Sequence, residues 1–384
     1  MADDREPKTT PEKPADSTAV SVELARLREA IDRVDVEILE QLNERARLVT
    51  QVGEEKRARS TPVYLASRER DLIAGLNERN PGPFPSAAIP HVFREIISAT
   101  RSLEETVRVA FLGPEGTFSH QAVGRQFGAQ VDLMPAASVR EVFALTQQGK
   151  AHYGVVAVEN TTEGAVAETF DALVESDLSI CGELMLEVTQ CLVSVSGRME
   201  DVQKVASHPQ PLGQCRLWLQ RYLQHADLVE TASTAAAAQM AAGDPAMAAI
   251  GSEVAAEVYG LQVIEREIED SPGNTTRFLV IGRETPSPSG DDVTSAVFTV
   301  RKDRSGALYH LLEPFARYAV NLNSIQSRPM KGKPWEYLFF VDMQGHAEDE
   351  SVSKALRESA AVAHSHKVLG SYPRSTLTRS GGRG

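Results

Sequence analysis

Arg45 and Lys56 stand where a helix should bury hydrocarbon. From Leu24 the apolar residues run Leu27, Ile31, Val34, Ile38, Leu42, Val49 and Val52, in the steps of three and four that mark one helical face. Arg45 fills the gap between Leu42 and Val49, and Lys56 continues the stripe one turn past Val52. A buried, unpaired cation costs several kcal/mol, and no acidic residue shares the stripe. The pattern therefore points to a small, multiply anionic ligand held among packed helices. The plainer alternative is a snorkelling Lys and an Arg paired with a carboxylate of another helix.

More charge gathers nearby. Arg28 lies beside Leu27, and Ser67-Arg68-Glu69-Arg70 opens a second helical stretch that ends near Leu76. A third helix is expected from Ile89 through Val92, Phe93, Ile96, Ile97 and Thr100 to Leu103. A first helix of about 35 residues cannot bury its stripe within this segment alone, so the all-α module is expected to dimerise.

From Val107 strand-like and helix-like runs alternate, which predicts α/β layers. The strand VRVAFL leads through Gly113-Pro114-Glu115-Gly116 into a helix near Thr117, and Ser138 is placed to cap another. The 113–117 turn is an anion site or a plain turn. It is neither a G-x-G-x-x-G nor a Walker loop. YGVVAVEN, CLVSVS, VQKVASH, AMAAIG and FLVIGR are the further strands. Thr285-Pro286-Ser287-Pro288 opens a linker over residues 284–292. Beyond it, TSAVFTV, a helix at 306–317, a strand at 322–327, WEYLFFVDM, a helix near 351–361 and HKVLG read as the β-α-β-β-α-β of a ferredoxin-like unit.

With 384 residues, of which 42% are hydrophobic, the chain has room for two or three domains. A formal charge of −13 with no basic stripe argues against a nucleic-acid partner. The absence of any 18-residue apolar run argues against a membrane span, and residues 1–20 lack a signal-peptide core. Cys181, Cys191 and Cys215 show no ligand spacing and read as cytosolic thiols. No metal or organic cofactor is expected. Residues 1–20 and 373–384 are expected to be disordered tails.

Three families are resembled in turn. LARLREAIDRVDVEILEQLNERARLVTQVGEEK followed by SRERDL resembles the all-helical chorismate mutase module over residues 21–105. That resemblance implies a Claisen rearrangement of chorismate to prephenate, which needs no nucleophile and no proton transfer. Catalysis then reduces to holding a compact dianion and stabilising its ether oxygen. The resemblance implies that Arg45 and Arg28 clamp carboxylates, Arg28 from a second copy, with Lys56 at the ether oxygen. Arg68 and Glu69 match the family's Arg-Glu pair, and Glu69 is expected to accept from the substrate hydroxyl. Thr100 stands where Ser is common. Leu65 replaces an Asp of some relatives, and Glu104 replaces a Gln. An ionised Glu cannot donate a hydrogen bond, so Glu104 is expected to act protonated and mutase activity to fall at alkaline pH.

FLGPEGTFSHQA, VENTTEGAV, SHPQPLGQC, AAIGSEVAAEVYGL and NTTRFLVIGR occur in the order of the prephenate dehydratase family over residues 107–283. The resemblance implies an α/β domain of two lobes, like a periplasmic binding protein, with prephenate in the cleft losing CO2 and water to give phenylpyruvate. Thr276 is expected to protonate the leaving hydroxyl, with Arg277 and Phe278 positioning it. Glu159, Asn160 and Thr161 at a strand end, with Ser207, Gln210 and Gln214 opposite, are the expected substrate contacts. Ser252 is expected to cap a helix toward the cleft, and Gln190 stands where some relatives carry His.

Residues 293–372 resemble the ACT regulatory domain, of the α+β ferredoxin-like class. The resemblance implies phenylalanine bound by Gly306-Ala307-Leu308 and by Gln326-Ser327-Arg328-Pro329, with Gln326 in place of the usual acid. The combined expectation is a cytoplasmic, phenylalanine-regulated mutase/dehydratase that works as a homodimer or larger homo-oligomer. The rivals are a dehydratase, of prephenate or arogenate, with a decayed mutase, and a non-catalytic amino-acid sensor.

Overall fold

The computed structural model describes residues 17–59, 66–300, 305–330 and 336–375. Leu65, the side chain of Lys56 and most of both expected tails lie outside the described residues. The chain divides into two compact units, Met1–Thr61 and Pro62–Gly384.

In the first unit, α1 runs Ser17–Arg59. It begins within the segment expected to be a tail, since neither proline nor glycine interrupts the sequence from Ser17 to Val52. Leu27, Ile31, Val34 and Ile38 are each more than half exposed in the single chain. In the second unit, α2 (Ala66–Glu78) and α3 (Ile89–Arg101) come first. Pro90 sits in the first turn of α3, where a missing N–H costs nothing.

The dehydratase-like region holds two sheets. The first runs β2 (Val131–Ala136), β1 (Val107–Leu112), β3 (Tyr153–Asn160), β11 (Thr275–Gly282), β5 (Ser179–Glu187), with the short β4 (Gly164–Ala165) beside β3. The second runs β10 (Gln262–Glu265), β6 (Cys191–Ser194), β9 (Met247–Gly251), β7 (Lys204–Ser207), β8 (Asp227–Glu230). Helices α4 (Phe118–Phe127), α5 (Val139–Gln147) and α6 (Ala167–Glu175) serve the first lobe. Helices α7 (Pro209–Gln214), α8 (Arg216–Tyr222), α9 (Thr234–Gly243) and α10 (Glu253–Tyr259) serve the second. The chain crosses between the lobes at 188–190 and returns at 266–274. The crossings are tied by Val188 N–H to the Asn274 carbonyl (2.7 Å) and Ile268 N–H to the Gln190 carbonyl (3.1 Å). Strand ends at those crossings border the cleft.

The last sheet is β13 (Leu322–Pro329), β14 (Tyr337–Gln344), β12 (Asp292–Thr299), β15 (Ser365–Pro373), with α11 (Ala307–Arg317) and α12 (Glu350–Val362) on one face. All its strand pairs are antiparallel, as the β-α-β-β-α-β pattern requires. Every residue of β12 is buried, because the sheet's other face packs on the first lobe. Val156, Phe170, Leu173, Ile180 and Leu279 share one core with Val297, Phe340, Leu369 and Tyr372. Phe170 meets Phe340 edge-on, with ring centroids 4.7 Å apart.

The three cysteines are free and buried. Burial pushes the thiols of Cys181 and Cys191 up to about 12 and raises that of Cys215 as well. The reactive thiolate is therefore scarce at neutral pH. At pH 8, native protein is expected to resist an alkylating reagent that labels all three in denaturant, with intact mass as the readout.

Candidate active site

Two strands bring the cleft chemistry together. β3 and β11 run antiparallel, with Asn160 opposite Thr276 and Glu159 opposite Arg277. Facing residues share a sheet face and successive residues alternate. Asn160 and Thr276 therefore share one face, and Glu159 and Arg277 share the other.

On the cleft face, Asn160 Nδ2 donates to Thr276 Oγ1 at 2.7 Å and to Asn274 Oδ1 at 2.8 Å. Asn160 Oδ1 accepts from the backbone N–H groups of Thr162 (2.9 Å) and Glu163 (3.2 Å). Backbone nitrogens can only donate, so they decide which end of the amide is oxygen. Nδ2 must face Thr276, whose oxygen must accept. The Thr276 proton is then available to another acceptor. Thr276 is itself buried. Asn274 and Thr162 escaped the sequence reading. The available signal was the period-two spacing of Asn274 and Thr276, which puts both on one face.

The second lobe reaches toward this cluster. Gln214 Nε2 lies 3.5 Å from Thr162 Oγ1, and its Oε1 accepts from Gln190 Nε2 at 3.3 Å. Gln190 is buried, with its backbone N–H on the Glu269 carboxylate. Burial of the Glu269 carboxyl itself raises it above its ordinary value, against the lowering effect of the Gln190 N–H. Ser207 ends β7, and its hydroxyl bonds the Ile250 carbonyl at 2.8 Å rather than projecting freely. Gln210 sits in the first turn of α7. Thr161 continues the ladder, with its hydroxyl accepting from Thr275 N–H at 3.0 Å. Ser252 caps α10 and donates to the Gly116 carbonyl at 2.9 Å, and Gly116 N–H donates to His120 Nδ1 at 3.0 Å. Here the 113–117 turn bridges the lobes. Gly116 has φ +84, and a Cβ there would lie 3.0 Å from Tyr259. Glycine is the residue that fits.

Three expected cleft residues go elsewhere. Glu159 shares the face of Arg277, and Phe278 is buried in the first-lobe core with Phe111 and Phe127. Arg277 points to the opposite face. Its Nε donates to Glu183 (2.9 Å), Nη1 to Asp342 (2.6 Å) and Nη2 to the Tyr372 hydroxyl (3.0 Å). Asp342 and Tyr372 belong to the last domain. The physical reason is alternation: the neighbour of a cleft-facing residue on a strand must face away.

The mutase candidates are split between the units. Arg28 and Arg45 stand on α1, whereas Arg68, Glu69, Thr100 and Glu104 belong to the second unit. Arg68 is exposed at the start of α2. Glu69 meets Arg101 at 3.5 Å and Arg94 at 3.9 Å, partners the sequence reading missed. Glu69 and Arg94 also line a cavity of about 470 Å³ that extends to Glu183 and Arg374. Thr100 bonds back to the Ile96 carbonyl at 2.8 Å, and Glu104 is half-buried just past α3.

Of the effector candidates, Gly306 caps α11 in the left-handed region, with φ 74. Ala307 is half-buried and Leu308 exposed. Along β13, Ser327 and Pro329 are exposed, while Gln326 and Arg328 are half-buried. Arg328 anchors on the dehydratase region. It donates to the Ala167 carbonyl, approaches Asp171 at 3.7 Å and lies 5.6 Å from the centre of the Phe170 ring.

Among known proteins, residues 109–286 match the prephenate dehydratase family, 27–105 chorismate mutase type II, and 294–361 the ACT domain. A bifunctional chorismate mutase/prephenate dehydratase of Aquifex aeolicus is 46% identical, covering 92% of this chain and 99% of its own. The chain belongs to the bifunctional chorismate mutase/prephenate dehydratase family. Among solved structures, the prephenate dehydratase of Arthrobacter aurescens in complex with L-Phe is 35% identical, with a TM-score of 0.64, covering 70% of this chain and 90% of that one. GqqA, described as a quorum-quenching acylase, is 30% identical, with a TM-score of 0.65, covering 71% of this chain and all of its own. Along this chain the mutase match comes first, the dehydratase match next and the ACT match last.

Proposed function

We propose that this family member converts chorismate to prephenate and prephenate to phenylpyruvate, under feedback control by phenylalanine. The observation that carries the second activity is the Asn160–Thr276 hydrogen bond. It occupies a lone pair of the threonine oxygen and leaves the proton for the departing hydroxyl of prephenate. Ring aromatisation drives CO2 loss as the C–O bond breaks. Thr276 is the general acid, Asn160, Thr161, Gln210 and Gln214 orient the substrate, and Ser207 secures the end of β7 through the Ile250 carbonyl. Glu159, Phe278 and Arg277 support the strands from outside the cleft.

In the mutase, Arg45, Lys56 and Arg28 of the partner subunit hold the dianion, with Arg68, Glu69, Thr100 and Glu104 completing the set. The exposed stripe of Leu27, Ile31, Val34 and Ile38 supports a homodimer formed along α1. Phenylalanine meets Gly306, Ala307 and Leu308, with Gln326, Ser327 and Pro329, while Arg328 anchors the strand. The proposed setting is the cytoplasm. It accords with three free thiols, and among the described residues no helix is long and apolar enough to cross a membrane.

Incubating the purified chain with chorismate alone and following chorismate, prephenate and phenylpyruvate tests the whole reading. Appearance of phenylpyruvate is expected. Unchanged chorismate with added prephenate still consumed would favour the decayed-mutase reading that Leu65 and Glu104 motivate. Consumption of arogenate in preference to prephenate would reassign the substrate, and no turnover of any of them would leave the sensor.

A sharper expectation concerns Asn160→Asp. The carboxylate still accepts the Thr162 and Glu163 N–H groups but cannot donate to Thr276. The threonine proton then turns to the carboxylate, away from substrate. Dehydratase kcat is expected to fall about 100-fold, with mutase activity unchanged, as read by separate assays with prephenate and chorismate.

A further inference from the structure

The residue next to the proposed acid is bound to a different domain. Thr276 and Arg277 are consecutive on β11, one facing the cleft and the other facing the ACT sheet. The Arg277 guanidinium is largely buried, and its three partners span two domains: Glu183 from β5 of the dehydratase, Asp342 from β14 and Tyr372 from β15. The cluster is closed on itself. Ser295 Oγ bonds Asp342 Oδ1 at 2.6 Å and the Tyr372 hydroxyl at 2.7 Å. The second Glu183 oxygen accepts from Ser375 N–H at 3.0 Å.

Asp342 also connects to the proposed effector strand. On β13, Ser324 pairs with Asp342 and Gln326 with Phe340. Gln326, Ser324, Asp342 and Arg277 line one small pocket beneath the ACT sheet. A shift of β13 that carries β14 with it therefore moves Asp342, and the intact ion pair passes that movement to the backbone one residue from Thr276. Coupling between sites needs a physical connection of this kind, and without the pair the movement does not reach β11.

We infer that the Arg277–Asp342 pair, with Glu183 and Tyr372, is the mechanical link by which occupancy of the ACT domain changes the placement of Thr276. Arg277 is a positioning residue on this account, contacting no substrate. The inference rests on the dehydratase and phenylalanine reading above.

Asp342→Asn keeps the shape and removes the charge, and Tyr372→Phe removes one hydroxyl while keeping the packing. Both are measured in the full-length chain for prephenate turnover without phenylalanine, for turnover at saturating phenylalanine, and for phenylalanine binding by calorimetry. The expected result for Asp342→Asn is basal kcat within about threefold of the parent, phenylalanine still bound, and residual activity at saturation raised about tenfold. Tyr372→Phe should shift in the same direction by less. Inhibition equal to the parent in both variants overturns the link, as does a fall in basal activity with an unchanged inhibition ratio, which is what a purely structural fastener gives. Loss of phenylalanine binding in Asp342→Asn also overturns it, by placing Asp342 in the effector site. Failure of the parent to convert prephenate instead defeats the functional reading itself. A parent that is active but insensitive to bound phenylalanine defeats the link alone.

Discussion

Replacing Thr276 by valine is expected to lower phenylpyruvate formation from prephenate by about 10²- to 10⁴-fold, the range that a positioned proton donor supplies. Valine fills the same buried volume, so the fold should hold. It leaves one Asn160 N–H without its acceptor while the bond to Asn274 remains, a deficit of about 1–3 kcal/mol. The effect should appear in kcat more than in KM, because the proton is needed in the transition state and not in the bound ground state. Thr276→Ser, which restores the hydroxyl, should recover most of the rate. Conversion of chorismate to prephenate should stay within about twofold, since the rearrangement transfers no proton. A Thr276→Val enzyme within fivefold of the parent on prephenate would remove Thr276 from the chemistry.

The second large effect is expected at Arg45. Arg45→Lys keeps the positive charge on the α1 stripe but replaces a planar five-donor fork with a single ammonium. A carboxylate held bidentately by the fork also fixes the conformer that rearranges. Mutase kcat/KM is expected to fall about 10²- to 10³-fold, the scale associated with losing one preorganised donor. Dehydratase activity on added prephenate should be untouched, and so should the unfolding midpoint. Equal loss in both activities would mean that Arg45 holds the assembly together instead of the substrate.

Much of this protein was legible in its residues because period is local. The three-and-four spacing from Leu24 to Val52 defines a helix and its face without reference to anything distant. β-α-β-β-α-β is likewise written in runs of alternating and helical pattern, and β12, β13, β14, α11, α12 and β15 follow it. Other elements were not legible. β2 (VDLMPA) carries a proline and shows no cleanly buried face, with Asp132 and Pro135 exposed and Ala136 alone buried, and it is a strand because β1 pairs with it in parallel. β5 (SICGELMLE) reads equally as helix until β11 lies beside it.

The site divides along the same line. Sequence by itself determined which residue types are present at which spacing: the cations on the α1 stripe and the Asn-Thr-Thr-Arg-Phe run. Only the tertiary structure decided where charged side chains spend their charge. Arg277 and Arg328 were expected at ligands because the motifs that carry them resemble those of the dehydratase and ACT families, and a part-buried cation needs an anion nearby. A sequence cannot say whether that anion is a substrate or a carboxylate some 65 or 157 residues away. Here the partners are Asp342 with Glu183 for the first, and Asp171 for the second. Charge pairing acts through space, and the distances it needs exist only once the ACT sheet has packed its second face against the first lobe.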